Sequence, residues 1–189
     1  KIPELISLSD IKGDLQMHTQ WSDGSSTILE MAQAAKKLGH EYICITDHVG
    51  KTFKIANSLD EKRVKKQRKE IDEAGRQLKN FAILQGAEVN IMEDGSLDMK
   101  DSVLKELDIV LASIHSGFKN PKEKITKRII KAMENEHVDI IAHPTGRLIN
   151  QRPAYELDFE KVLEKAKATK TVLEINAYPE RMDLNDISS

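Results

Sequence analysis

The feature that most constrains this chain is an alternation. A short run rich in Ile, Val or Leu ends in polar residues, a stretch with helical periodicity follows, and the next run begins. The runs expected to form strands are Gly13–His18, Tyr42–Thr46, Phe81–Val89, Ile109–Ile114, Asp139–Ala142 and Thr171–Ile175. Runs this short and apolar suit parallel strands covered on both faces. Strands alternating with helices define an α/β fold with a mainly parallel sheet.

The first intervening helix is well marked. Ser26 or Thr27 can cap it, and Thr27 with Glu30 has the spacing of a capping box. Ile28, Met31, Ala35 and Leu38 are expected on its apolar face, with Gly39 closing it. A second helix is expected over Asp60–Lys79, its apolar side made by Val64, Ile71, Ala74 and Leu78. Further helices are expected near Lys122–Asn135 and Asp158–Thr169. Glu93–Asp101 reads as a turn, because the spacing of a calcium loop is absent.

Composition bounds what such a chain can do. Its 189 residues suit a single domain, and 39% hydrophobic with 32% charged residues describes a globular protein. No apolar run approaches the ~20 residues needed to cross a bilayer. No signal-peptide pattern opens the chain. The lone cysteine, Cys44, excludes an internal disulfide and fits a reducing cytoplasm. Lys1 at the start, in place of Met, suggests a piece of a longer protein. A net charge of −2 lacks the basic surplus of a stand-alone nucleic-acid binder. Any affinity for nucleic acid would then come from a neighbouring domain.

Function is read from where the six histidines fall. His18, His48, His115 and His143 each sit just after an apolar run, and Glu88 stands in the third strand candidate. Strand ends of an α/β barrel converge on one rim. Four imidazoles and a carboxylate gathered there would suit zinc, manganese or iron. Each alone reads as an ordinary strand-end side chain; their equivalent positions make the set informative. Glu88 is expected to bridge two ions, which a single imidazole nitrogen does not do. Gln16 and His18 share a strand face through their i, i+2 spacing. Asp23 lies in a turn entering the first helix, where capping and metal contact both remain open. His40 and His137 are expected at the opposite rim, away from any metal.

These residues form a recognisable set. Asp14-Leu15-Gln16-Met17-His18-Thr19, Ser22-Asp23-Gly24, Thr46-Asp47-His48, Gly86-Ala87-Glu88-Val89, Ser113-Ile114-His115-Ser116 and His143-Pro144 resemble the successive motifs of PHP (polymerase and histidinol phosphatase) domains. Gln16 stands where most such domains carry the first histidine of an H-x-H pair. That substitution, the Glu93–Asp98 run, His143–Arg147 and Leu173–Asp186 resemble the C-terminal PHP domain of bacterial and archaeal family X DNA polymerases. The resemblance implies a distorted TIM-like (β/α)7 barrel spanning residues 1–189 as one metallohydrolase domain. It also implies up to three divalent ions, with manganese-dependent 3′–5′ exonuclease or related repair phosphoesterase activity. By the same resemblance His18 and Glu88 hold a first ion, with Gln16 as a weaker neutral ligand. Glu88, His115 and His143 hold a second, and Asp23 with His48 a third. Asp47 orients its neighbours. The family closes with a strand carrying an Asp-x-His pair. No such pair follows Asn185 and Asp186, so the barrel is expected to be open by about one strand, lacking its last strand and helix.

Glu88, His115 and Arg147 are the expected catalytic residues, with Arg147 and Arg181 as candidate phosphate contacts. A surface salt bridge is the alternative for both arginines. Trp21 could stack on a terminal base or simply pack. Lys62, Lys65, Lys66, Lys69 and Arg76 form a stripe that reads first as a solvated helix face. The expected substrate is a DNA end, presented beside a polymerase domain, with no membrane involved. A small-molecule phosphomonoesterase of the histidinol-phosphatase kind and an inactive, partner-binding domain are the competing readings. The oligomeric state is not legible in the sequence.

Overall fold

The computed structural model describes residues 5–52 and 55–188. After a short 3₁₀ turn at Leu8–Asp10 come β1 (Gly13–Met17), α1 (Ile28–Lys37), β2 (Tyr42–Ile45), β3 (His48–Val49), α2 (Glu61–Gln77) and β4 (Ala82–Asn90). Then follow α3 (Asp101–Leu104), β5 (Ile109–Ser113), α4 (Lys122–Ala132), β6 (Ile140–Ile141), α5 (Phe159–Thr169) and β7 (Val172–Leu173). The strands pair in the order β1-β2-β4-β5-β6-β7, all parallel, and β3 also pairs with β4. β2 and β3 occupy one lane beside β4. Tyr42–Ile45 lies against Ala82–Gln85, His48 lies opposite Glu88, and Thr46 and Asp47 fall in the gap. The sheet curls into a partial TIM-like barrel. Among the described residues β1 and β7 do not pair, and a hydrogen bond from Asn176 Nδ2 to Gln16 Oε1 (3.1 Å) spans the opening.

Local chemistry fixes the helices. Of the two candidate caps, Thr27 is used: its hydroxyl accepts from Glu30 N–H, and the Glu30 carboxylate accepts from Thr27 N–H. The face of α1 that packs on the sheet is Ile28, Ala32 and Ala35. Leu38, expected on that face, is 79% exposed, because the helix ends at Lys37 and Gly39 follows with φ +90°. Asp60 caps α2, which buries Val64, Gln67, Ile71 and Ala74. Two cores result. One joins α1 and α2 to β2 through Ile28, Ala32, Ile43, Ile45 and Ile71; the other joins α4 and α5 to β4 and β5. Gly86 lets the central strands close up, since a Cβ there would lie 2.7 Å from both Cys44 Sγ and the Ile109 carbonyl oxygen.

Some elements differ from the sequence reading. β3 and α3 are too short to give a periodic signal. β6 and β7 are two residues each, shorter than expected, and the chain leaves β6 for the rim at His143, where φ turns positive. No helix among the described residues is long and apolar enough to cross a membrane.

Candidate metal centre

Glu88 sits near the end of β4, its side chain 1% exposed, and is the hub of the rim. Four imidazoles surround its two oxygens. His143 Nε2 lies 2.8 Å and His115 Nε2 3.1 Å from Oε1; His18 Nε2 lies 3.2 Å and His48 Nδ1 3.6 Å from Oε2. The rings follow one another round the rim: His18 stacks on His48 at 4.6 Å, His48 meets His115 at 5.1 Å, and His115 meets His143 at 5.6 Å. Asp23 reaches in from the turn before α1, 3.5 Å from His18 Nδ1 and 3.7 Å from His48 Nε2. Its turn is held tight at Gly24, where a Cβ would fall 2.5 Å from the His18 carbonyl oxygen. His143 itself takes φ +31°, a region uncommon for any residue but glycine. Such conformations concentrate where a side chain must be aimed.

The donors fit divalent cations. Atoms bound to one ion at about 2.1 Å stand roughly 3.0–3.4 Å apart, and the spacings around Glu88 bracket that range. Two donor groups share the carboxylate: His18, His48 and Glu88 on one side, and Glu88, His115 and His143 on the other. Among the described residues the buried Nδ1 atoms of His18, His48 and His143 make no hydrogen bond, though carboxylates stand 3.5–3.6 Å from the first two. Apolar burial of unpaired polar atoms is costly, so a cluster of them calls for a ligand.

Electrostatics agree. Burial alone would raise the Glu88 carboxyl, but hydrogen bonds from His115, His143 and His18 outweigh it and hold Glu88 well below the usual range, hence ionised. Burial pushes the His48 imidazole down to about 4, Glu88 opposing and His18 and His115 adding to the fall. Burial likewise lowers His143, against the pull of Glu88. Neutral His48 and His143 beside an ionised Glu88 are the protonation states a cation requires. His18 differs: burial lowers its imidazole, but the Glu88 hydrogen bond and charge outweigh that and raise it, so a cation there displaces a proton.

A second layer holds these groups. Asp47 is buried and faces away from the rim, accepting from Thr19 N–H (2.7 Å), Thr19 Oγ1 (2.6 Å), Ser22 Oγ (2.5 Å) and Gln67 Nε2 (2.7 Å). It ties the turn after His18 to the residue before His48. Asp47→Asn reverses one acceptor into a donor facing donors and should cost about 2 kcal/mol. A melting temperature lower by roughly 4–8 °C is the expected reading in calorimetry. Glu174, which the sequence reading did not single out, accepts from His143 N–H at 2.5 Å. Burial pushes its carboxyl up to about 7, the His143 amide opposing and the Glu88 charge adding. Its signal was present: a carboxylate following an apolar run, as with Glu88.

A cleft of about 580 Å³ opens over the rim, lined by all four histidines, Glu88, Asp23, Gln16, Phe118, Arg152, Tyr178 and Arg181 among others. Arg181 lines it. Arg147 does not line it; its guanidinium donates to the carbonyls of Arg181 (2.6 Å) and Met182 and so braces the segment carrying Arg181. Arg152, which the sequence reading passed over, takes its place, held over the Phe118 ring at 3.9 Å and donating to the Gly146 carbonyl. Gln16 lines the cleft but turns its amide oxygen to Asn176. Trp21 packs: its indole N–H donates to Glu70 (2.8 Å) and its ring contacts both cores. Lys62, Lys65, Lys66, Lys69 and Arg76 are exposed on α2. His40 and His137 precede β2 and β6, at the opposite ends of the strands.

A curled parallel sheet with histidines and one shared carboxylate at its C-terminal rim is the frame of a metallohydrolase. The family model of the PHP domain matches residues 14–178, and the chain belongs to that family. It is 54% identical over 181 residues to the DNA polymerase/3′-5′ exonuclease PolX of Bacillus subtilis, covering 96% of this chain and 32% of that protein. A probable phosphatase of Thermoanaerobacter sp. is 40% identical over 168 residues, covering 86% of this chain and 63% of its own length. The chain thus spans less than two thirds of these relatives. The fold is similar to the crystal structure of histidinol phosphate phosphatase from Lactococcus lactis, solved with zinc, L-histidinol and phosphate. The TM-score is 0.61 at 18% identity, over 87% of this chain and 73% of that one.

Proposed function

We propose that this domain hydrolyses phosphate esters at DNA ends, working beside a polymerase module. The observation that carries the hydrolase reading is the convergence of four imidazoles on the buried, ionised Glu88. The DNA-end assignment is supported by the 54% identity to a protein named as a polymerase and 3′-5′ exonuclease. A reducing compartment such as the cytoplasm suits the lone buried Cys44.

In this reading His18 with Glu88, and Glu88 with His115 and His143, hold two ions, manganese or zinc by donor type. Asp23 with His48 would hold a third more loosely, since only two protein donors meet there and Asp23 is half exposed. Divalent ions in such a site lower the pKa of water and offset charge on the phosphoryl group. The chain's own residues do the rest. Glu88 stays ionised and joins the two donor groups. Arg152 and Arg181 face the cleft with no carboxylate pairing them among the described residues, and so offer positive charge to phosphate oxygens. Cys44 is no nucleophile: it is buried on β2, does not line the cleft, and burial pushes its thiol up to about 12.

The second reading, a small-molecule phosphomonoesterase, is favoured by the 40% identity to a probable phosphatase. Incubating the manganese-loaded chain with 3′-labelled DNA, and separately with histidinol phosphate, separates the two. Release of mononucleotides with little inorganic phosphate supports the DNA-end reading. Preferential release of inorganic phosphate from the small ester supports the second, and neither release contradicts both.

A further inference from the structure

We infer that Gln16 binds substrate as a hydrogen-bond donor, its amide oriented by Asn176, and is not a metal ligand. The inference rests on the phosphoesterase reading for the identity of the bound group, though not for the orientation of the amide.

The orientation follows from a chain of hydrogen bonds across the open side of the barrel. Asn176 Oδ1 accepts from Tyr178 N–H at 3.0 Å, so the oxygen of that amide is fixed. Its nitrogen must then face the other way, and it does, donating to Glu174 Oε1 at 3.2 Å. The sense of that bond is set by Tyr178, whose backbone N–H can only donate. The same Nδ2 donates to Gln16 at 3.1 Å, and only an oxygen can accept there. Gln16 Oε1 is therefore turned to Asn176, which takes one of its two lone pairs. Glu174 is in turn anchored on His143 N–H, so the chain begins on the metal rim itself.

With Oε1 turned to Asn176, Gln16 has Nε2, with two N–H groups, left to offer a ligand in the cleft that it lines. An amide nitrogen has its lone pair delocalised and does not ligate hard or borderline cations, whereas it donates well to anionic oxygen. Gln16 sits half-buried on β1 beside His18 and lines the same cleft as Arg152 and Arg181. A phosphoryl group over the metal rim would meet guanidinium on one wall and the Gln16 amide on the other. The ligand class is thus a phosphate ester contacted through a non-bridging oxygen. Asn176 is a positioning residue: it decides which end of Gln16 the substrate sees.

Three variants of the manganese-loaded chain test this: Gln16→Ala, Gln16→Glu and Asn176→Asp. Manganese affinity is read by equilibrium dialysis, inorganic phosphate affinity by titration calorimetry, and KM and kcat on the better phosphate ester. Gln16→Ala should leave manganese affinity within about twofold while weakening phosphate and raising KM about tenfold, the cost of one bond to a charged group. Gln16→Glu should weaken phosphate further by placing a carboxylate where the donor stood. Asn176→Asp should match Gln16→Ala, because an aspartate there accepts and forces the Gln16 oxygen into the cleft. Tighter manganese binding by Gln16→Glu, or a loss of manganese in Gln16→Ala, makes Gln16 an oxygen ligand and overturns the inference. Unchanged phosphate affinity in Gln16→Ala also overturns it. If the unaltered chain cleaves no ester, the hydrolase reading fails, while the phosphate and manganese titrations still decide the role of Gln16.

Discussion

Replacing Glu88 by Gln is expected to abolish metal binding and hydrolysis together while leaving the domain folded. Both three-donor groups share this one carboxylate, so neither survives its loss intact. An amide nitrogen in place of either oxygen would face His143 and His115, or His18 and His48, as a donor. Removing even a residue that only supports a ligand costs metal sites about 10–100-fold in affinity. A shared ligand should cost at least the upper end, so manganese affinity and kcat/KM should each fall by about 100-fold or more. The fold is expected to persist, because the neighbours of Glu88 on β4, Ala87 and Val89, keep the core contacts of that strand. Circular dichroism beside a manganese titration checks both halves. Retention of full metal content with activity lost would instead give Glu88 a purely chemical role.

The second large effect is expected at Arg128, a residue that touches no metal ligand. It projects from α4 and is among the largest fully buried side chains. Its guanidinium donates to the carbonyls of Ile91, Met92 (2.8 Å) and Ser116 (2.7 Å). Those carbonyls belong to the segments leaving β4 just after Glu88 and β5 just after His115. Arg128 thereby ties together two loops that exit the metal rim. Arg128→Met keeps much of the volume but strips donors from buried carbonyls, at about 1–3 kcal/mol for each group left unsatisfied. These costs are not additive, and a total of about 4 kcal/mol is expected. Thermal unfolding should move down by roughly 8–16 °C. Metal affinity should fall as well, since the spacing of Glu88 and His115 depends on those loops. A shift under 2 °C, which is about the effect of a neutral surface change, would show that the loops hold without it.

Arg128 also marks the limit of what the sequence conveys. In Lys122-Glu123-Lys124-Ile125-Thr126-Lys127-Arg128-Ile129 it reads as one more charge on a solvated helix face. Burial of an arginine is decided by carbonyls that arrive from 12 and 37 positions away, and no local pattern records them. The histidines and Glu88 of the rim were legible for the opposite reason. Parallel strands deliver their C-terminal ends to one rim, so a histidine after each apolar run is a positional signal. His18, His48, Glu88, His115 and His143 were found that way, and the order of the strands in the sheet follows the chain. Arg147 and Arg152 show where that signal fades. Both lie in an irregular stretch, and which of them faces the cleft depends on Phe118 under one guanidinium and the Arg181 and Met182 carbonyls against the other. Gln16 shows a subtler gap: its position on the strand was readable, but the direction of its amide is set by Asn176, 160 residues away.

The central claim is that the rim grips cations, and counting them tests it most directly. The chain is saturated with manganese, passed through buffer to remove loosely held ions, and its metal content measured against protein concentration by elemental analysis. Two donor groups sharing Glu88 predict about two ions per chain, and the same preparation of the Glu88→Gln variant should hold close to none. Equal and negligible metal in both would mean that four histidines crowd one carboxylate for some other reason, and the account would be contradicted at its base.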